Sequence, residues 1–151
     1  GRLLAGVSRQ QALTTLVANL RKTAEAFQLL GIVVLCEAIN SLDMPDFLIN
    51  TPEQLDGLLR AVNHPNCQAQ YDLYHMARQG LDLLAGRIGH VQFADCPGRG
   101  APGTGRIDFA PVLAALHDHG YRGWLGAEYR PGEDGTHAGL GWLPAWRDAG
   151  R

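Results

Sequence analysis

Four residues that can ligate a metal or move a proton each stand at or near the end of an apolar run. Glu37 follows Ile32-Val33-Val34-Leu35-Cys36. Asp72 ends the run that starts at Cys67. Gln92 lies in Ile88-Gly89-His90-Val91-Gln92-Phe93, and Glu128 closes Gly123-Trp124-Leu125-Gly126-Ala127. Carboxylate and amide oxygens of this kind suit a hard divalent cation such as Mg²⁺ or Mn²⁺. Two carboxylates facing one substrate can also act as base and acid. A polar residue after one apolar run is ordinary, because strand ends meet water. Four in succession argue for a shared site.

The segments between these runs must position the four residues. Apolar residues at Leu13, Leu16, Val17, Leu20, Ala24, Phe27 and Leu30 recur at spacings of three and four, which predicts an amphipathic helix over 13–30. Gly31 stops it. Thr51-Pro52 predicts a capped helix start, with Leu55, Leu58, Leu59 and Val62 on one face. Asn63-His64-Pro65-Asn66 reads as a turn. A short helix is expected near Leu81–Gly86. Cys96–Gly105 is a Gly- and Pro-rich loop. Asp108 caps a helix through Val112, Leu113 and Leu116, closed by Gly120, and a last short helix spans Trp142–Trp146.

Strands alternating with helices imply parallel strands joined by crossovers. Four such units are half of an eight-unit (β/α)₈ barrel, which takes about 250 residues. In such a barrel every strand ends on one face, where active sites are built. Residues 1–151 are therefore expected to form the C-terminal part of one barrel domain, starting near the end of a fourth strand. Val34, Val91 and Leu125 are expected on its inner face. Open sheet edges then predict poor solubility, homo-oligomerisation, or pairing with the missing N-terminal half.

Composition narrows the function. The formal net charge of −2 offers no basic face for nucleic acid. No apolar run reaches the roughly 20 residues of a membrane span. Cys36, Cys67 and Cys96 form no CxxC pair. That argues against a structural zinc site and fits a reducing, cytoplasmic compartment. Cys36 alternates with Glu37 and so reads as core packing. Trp124 and Trp142 also read as packing residues, and His90 as a satisfied core histidine.

Several segments, in order, carry a family resemblance. Glu37-Ala38-Ile39-Asn40 resembles an E-P-I-N motif, and Gln70-Tyr71-Asp72-Leu73-Tyr74-His75-Met76 resembles Q-Y-D-x-Y-H-M. Gly89-His90-Val91-Gln92-Phe93-Ala94-Asp95 resembles G-H-V-Q-x-A-D. Pro97-Gly98-Arg99 and Pro102-Gly103-Thr104-Gly105 follow as in P-G-R-x-x-P-G-T-G. Gly120–Tyr129 resembles G-Y-x-G-W-I-G-x-E-Y, and Gly139-Leu140-Gly141-Trp142 resembles the closing segment. These are motifs of the hydroxypyruvate isomerase family, within the xylose-isomerase-like TIM barrels.

The resemblance implies that Glu37, Asp72, Gln92 and Glu128 bind the metal. It also implies that Glu37 and Glu128 exchange protons with a small hydroxy or keto acid, and that His75 lies beside it. Hydroxypyruvate and tartronate semialdehyde would interconvert through an enediolate, whose charge a divalent metal stabilises. Arg99 is placed to pair with the substrate carboxylate. Ala38, Leu42, Gly100, Arg106 and Arg130 depart from the family pattern, while the four ligand positions keep it. The alternatives are an isomerase or epimerase of another small keto acid or keto sugar, or a non-catalytic half barrel. An endonuclease of the related repair barrels would call for more His ligands and a basic groove.

Overall fold

The computed structural model describes residues 1–79 and 87–149. Its elements run α1 (Arg9–Gln28), β1 (Val34–Glu37), α2 (Pro52–Val62), β2 (Cys67–Asp72), α3 (Leu73–Gln79), β3 (Ile88–Phe93), α4 (Phe109–Asp118), β4 (Leu125–Ala127), α5 (Gly135–Ala138) and α6 (Leu143–Ala149). The expected helix over 81–86 lies outside the described residues. α3, which follows β2 without a loop, was not foreseen from the sequence.

Local chemistry sets most of the boundaries. α1 begins four residues before its first expected apolar position, because Ser8 and Gln11 form a reciprocal capping box. The Gln11 N–H donates to Ser8 Oγ at 3.2 Å, and the Ser8 N–H donates to Gln11 Oε1 at 3.0 Å. Leu13, Leu16, Val17 and Leu20 pack on the core. Phe27 and Leu30, expected on the same face, are exposed. Thr51 caps α2 and Pro52 takes its first turn, as expected. Asn63 ends α2 in the left-handed region at φ 47°.

The four strands form one parallel sheet in the order β1-β2-β3-β4. Register pairs Glu37 with Gln70, Asp72 with Gln92, and Gln92 with Gly126. Alternation along each strand divides the sheet into two faces. Cys67, Ala69, Tyr71, Val91 and Phe93 join Leu55, Leu58, Leu59 and Val62 of α2 and Phe109 and Leu116 of α4 in one buried core. Phe93 also meets Trp142 and Trp146 at ring-centroid distances of 5.2 and 4.8 Å. Truncating Phe93 to Ala would cost about 3–5 kcal/mol.

This division corrects two expectations. Val34 and Val91 face the helices rather than the barrel interior, because they alternate with Leu35 and Gln92; Leu125 shares their side of the sheet. Trp124 is 86% exposed and packs on little, whereas Trp142 belongs to the core as expected. Cys36 and Cys67 lie on the helix-facing side as free thiols, their sulfurs 3.7 Å apart. No helix among the described residues is long and apolar enough to cross a membrane.

Candidate functional site

Because the strands are parallel, Glu37 at the end of β1, Asp72 at the end of β2, Gln92 near the end of β3 and Glu128 just past β4 reach the same edge of the sheet. The backbone N–H of Glu128 donates to the Phe93 carbonyl at 2.9 Å, which carries the β3–β4 pairing one step past the strand. The turn from β2 into α3 is tight. Asp72 Oδ1 accepts the Tyr74 N–H at 2.9 Å, and this fixes the Asp72 carboxylate while bringing His75 back over it. His75 thus sits in the first turn of α3.

Glu37, Asp72 and His75 each offer one ligand atom within 4.8 Å of the others. His75 Nε2 lies 3.8 Å from Glu37 Oε1 and 3.6 Å from Asp72 Oδ2. Gln92 and Glu128 join this group through intermediaries. Gln70 donates from Nε2 to Glu37 Oε2 at 3.0 Å and to Gln92 Oε1 at 2.6 Å. Arg99 donates from Nη2 to Glu128 Oε2 at 2.6 Å and reaches Asp72 Oδ2 at 3.4 Å. Its guanidinium also lies over the Tyr74 ring, 5.1 Å from the centroid. All six expected site residues therefore fall in one neighbourhood.

The electrostatics of the group are unbalanced. Burial, reinforced by the nearby Asp72 charge, pushes the Glu37 carboxyl up to about 7. Burial likewise pushes Asp72 up to about 6, against the pull of the Tyr74 N–H and Arg99. Burial, and then the Arg99 charge, push His75 down to about 4, so the imidazole is neutral at physiological pH. Two carboxylates share a poorly solvated space with a neutral histidine and one guanidinium. A divalent cation would relieve the strain, and the hard oxygens of Glu37 and Asp72 match what Mg²⁺ or Mn²⁺ takes. The donor set fits a metal on its chemistry.

Arg99 is delivered by a loop whose organiser the sequence reading passed over. Asp95 is fully buried. Its Oδ1 accepts the N–H groups of Cys96 and Ile107 at 2.8 and 3.0 Å, and its Oδ2 those of Gly103 and Gly105 at 2.9 Å each. Burial alone would raise this carboxyl, but the four donors outweigh it and hold the group below its usual range. At Gly105 an added Cβ would lie 2.5 Å from the Cys96 carbonyl oxygen and would also press on Asp95 Oδ1, so only glycine fits. Arg99 itself takes the left-handed region at φ 56°, and its carbonyl accepts the Arg130 N–H at 2.8 Å.

Other residues of the site were also overlooked. Gln70 has the same strand parity as Asp72, and that signal was available. Asn40 and Asp43 approach His75 from the β1–α2 loop, where no periodicity marks them. His90 faces the same side as Gln92 and abuts Gly126, where a Cβ would fall 2.8 Å from its Nε2.

A parallel α/β sheet with acidic and amide groups at the carboxyl ends of its strands is what one side of an α/β barrel presents on its loop face. The family profile of xylose isomerase-like TIM barrels matches residues 1–146, and the chain belongs to that family. It is 39% identical over 153 residues to hydroxypyruvate isomerase of Escherichia coli K12, covering 97% of this chain and 59% of the relative. It is 35% identical to 2-oxo-tetronate isomerase of Cupriavidus necator, covering 95% of this chain and 57% of that one. The crystal structure described as AP endonuclease, family 2, from Brucella melitensis superposes with a TM-score of 0.87 at 34% identity, over 94% of this chain and 57% of that one. The chain thus spans somewhat over half the length of the relatives it matches.

Proposed function

We propose that this chain carries the loop-face chemistry of a metal-dependent isomerase that interconverts hydroxypyruvate and tartronate semialdehyde. The observation that carries the reading is the Glu37–Asp72–His75 group, with Asp72 and His75 buried and Glu37 half-buried, joined by Arg99 to Glu128. In this reading Glu37, Asp72, Gln92 and Glu128 hold Mg²⁺ or Mn²⁺. Bound there, the metal supplies Lewis-acid stabilisation of the negative charge that develops on the substrate oxygens.

The residues of the chain do the rest. Glu37, set at the end of β1 beside the substrate space, would accept a proton from the carbon next to the carbonyl. Glu128 serves as its counterpart, returning a proton to the adjacent carbon. The guanidinium of Arg99 offers a fork for the substrate carboxylate. His75 is positioned beside the substrate oxygens. Burial of Asp72 and His75 keeps water from competing.

A second substrate, 2-oxo-tetronate, fits the same residues, because it too presents a keto acid to Arg99; the 35% identity to the C. necator enzyme favours testing it. Four further βα units, supplied by a longer chain or a partner, would complete the barrel around the open edges of β1 and β4. The named endonuclease of Brucella does not shift the reading, since the net charge of −2 argues against a nucleic-acid surface.

The test is turnover of both keto acids by the completed barrel in deuterated water. Deuterium should enter the product carbon, activity should vanish on exhaustive chelation, and Mg²⁺ or Mn²⁺ should restore it. Turnover that persists unchanged after chelation excludes the mechanism.

A further inference from the structure

We propose that Asn40 is a positioning residue that locks His75 in the tautomer carrying its proton on Nε2, so that His75 presents a hydrogen-bond donor, and not a lone pair, to the Glu37–Asp72 space. The role of that donor toward substrate rests on the isomerase reading above; the tautomer itself does not.

The argument begins with the orientation of the Asn40 amide. Asn40 is fully buried, and Oδ1 accepts the backbone N–H of Asp43 at 2.8 Å. Its Nδ2 donates to the Asp43 carboxylate, Oδ2, at 3.1 Å. Exchanging the amide oxygen and nitrogen would turn an oxygen toward that carboxylate and an amide hydrogen toward a backbone N–H. Both contacts would become repulsive. Asp43 is itself held: Tyr74 Oη donates to Oδ2 at 2.5 Å, and Arg78 Nε reaches Oδ1 at 3.3 Å. The amide is therefore fixed from outside the histidine.

With that orientation, the atom facing His75 Nδ1 is Asn40 Nδ2, at 2.6 Å. The Asn40 backbone N–H also points at Nδ1, at 3.4 Å. Both neighbours are donors, so Nδ1 must accept. A neutral imidazole carries one proton, and it then resides on Nε2. Nε2 is the atom that faces Glu37 Oε1 and Asp72 Oδ2. A nitrogen bearing that proton has no lone pair for a metal. Proximity alone groups His75 with the two carboxylates as a ligand triad; the hydrogen-bond network assigns it instead to orienting a substrate oxygen.

The experiment reads the tautomer directly. The chain is labelled with ¹⁵N-histidine, and long-range ¹H–¹⁵N correlations are recorded near neutral pH. His75 is assigned by the signals lost in His75→Gln. Wild type should show Nδ1 at the unprotonated, pyridine-like position and Nε2 at the protonated, pyrrole-like one. Asn40→Asp replaces the donor with an acceptor, so Nδ1 should gain a proton and leave the pyridine-like position. Wild type with the proton on Nδ1 overturns the proposal, and so does a folded Asn40→Asp with an unchanged pattern. Should Asn40→Asp not fold, the wild-type spectrum decides. A protonated Nε2 together with a completed barrel that lacks isomerase activity sinks the function and leaves the lock standing. Metal-dependent activity with a protonated Nδ1 does the reverse.

Discussion

Asp95→Asn should loosen the loop that delivers Arg99. The substitution preserves shape and removes one charged oxygen. In the wild type, the N–H groups of Gly103 and Gly105 both donate to Oδ2 at 2.9 Å, and those of Cys96 and Ile107 donate to Oδ1. An amide in either orientation turns an NH₂ toward two backbone N–H groups. Hydrogen bonds to a charged acceptor contribute roughly 1.5–3 kcal/mol each, so two of them amount to roughly 3–6 kcal/mol. Desolvation of the buried charge offsets part of that, leaving an expected loss of about 3 kcal/mol. The sign with pH follows from the depressed carboxyl. Its contribution is fully present above the ordinary Asp value of about 3.9 and is lost only as pH falls through the lower folded value. The gap between wild type and variant should therefore stay constant from neutral pH down to about 4 and close below that. Urea unfolding and amide exchange at Gly103, Gly105 and Ile107 provide the measurement. A loss under about 1 kcal/mol with unchanged protection would refute the reasoning.

Three further outcomes are expected. Gly105→Ala should loosen the same loop by pressing on the Cys96 carbonyl, and exchange at Ile107 should rise as it does in Asp95→Asn. In metal-free protein, Glu37 and Asp72 have folded values raised to about 7 and about 6, so their effect on stability is most favourable below the ordinary carboxylate range and is lost as pH rises through those values. The unfolding midpoint should fall over that window, and Glu37→Gln should flatten the fall while weakening Mn²⁺ binding at least about tenfold by calorimetric titration. Arg99→Gln should raise KM for a carboxylate substrate by about tenfold, the equivalent of one charge-assisted hydrogen bond; an unchanged KM would remove Arg99 from the substrate site.

Much of this arrangement was legible in the chain because it is local. Thr51-Pro52 and Asp108 mark helix starts by capping chemistry, and both helices begin there. The apolar runs ending on Glu37 and Asp72 gave the strands and the edge at which the site forms. What escaped depends on contacts across long sequence separations. Nothing near Asn40 signals that its amide meets His75, 35 residues on. The residues after Asp95 are rich in Gly and Pro, which announces a loop but not that four of its N–H groups converge on one carboxylate. α3 was missed because Leu73–Gln79 is too short for helical periodicity to stand out; Asp72, by accepting the Tyr74 N–H, starts the helix from the end of a strand.

The parity of the strands separates stability from chemistry more sharply than composition does. Ala69, Tyr71, Val91 and Phe93 turn to the helices and carry the core, while Gln70, Asp72, His90 and Gln92 alternate with them and turn to the site. A one-residue slip in register would exchange the two sets. The apolar face that drives folding is thus already covered by α1, α2 and α4, and the opposite face is polar toward the site, with Leu35 of β1 exposed on it. Among the described residues, the β1 and β4 edges, with the exposed Ile32 and Val33 before β1 and Leu35 within it, are where a partner would pair. A partner that satisfied those edges would also wall the polar face, because edge pairing and closure of the site are the same event in a barrel.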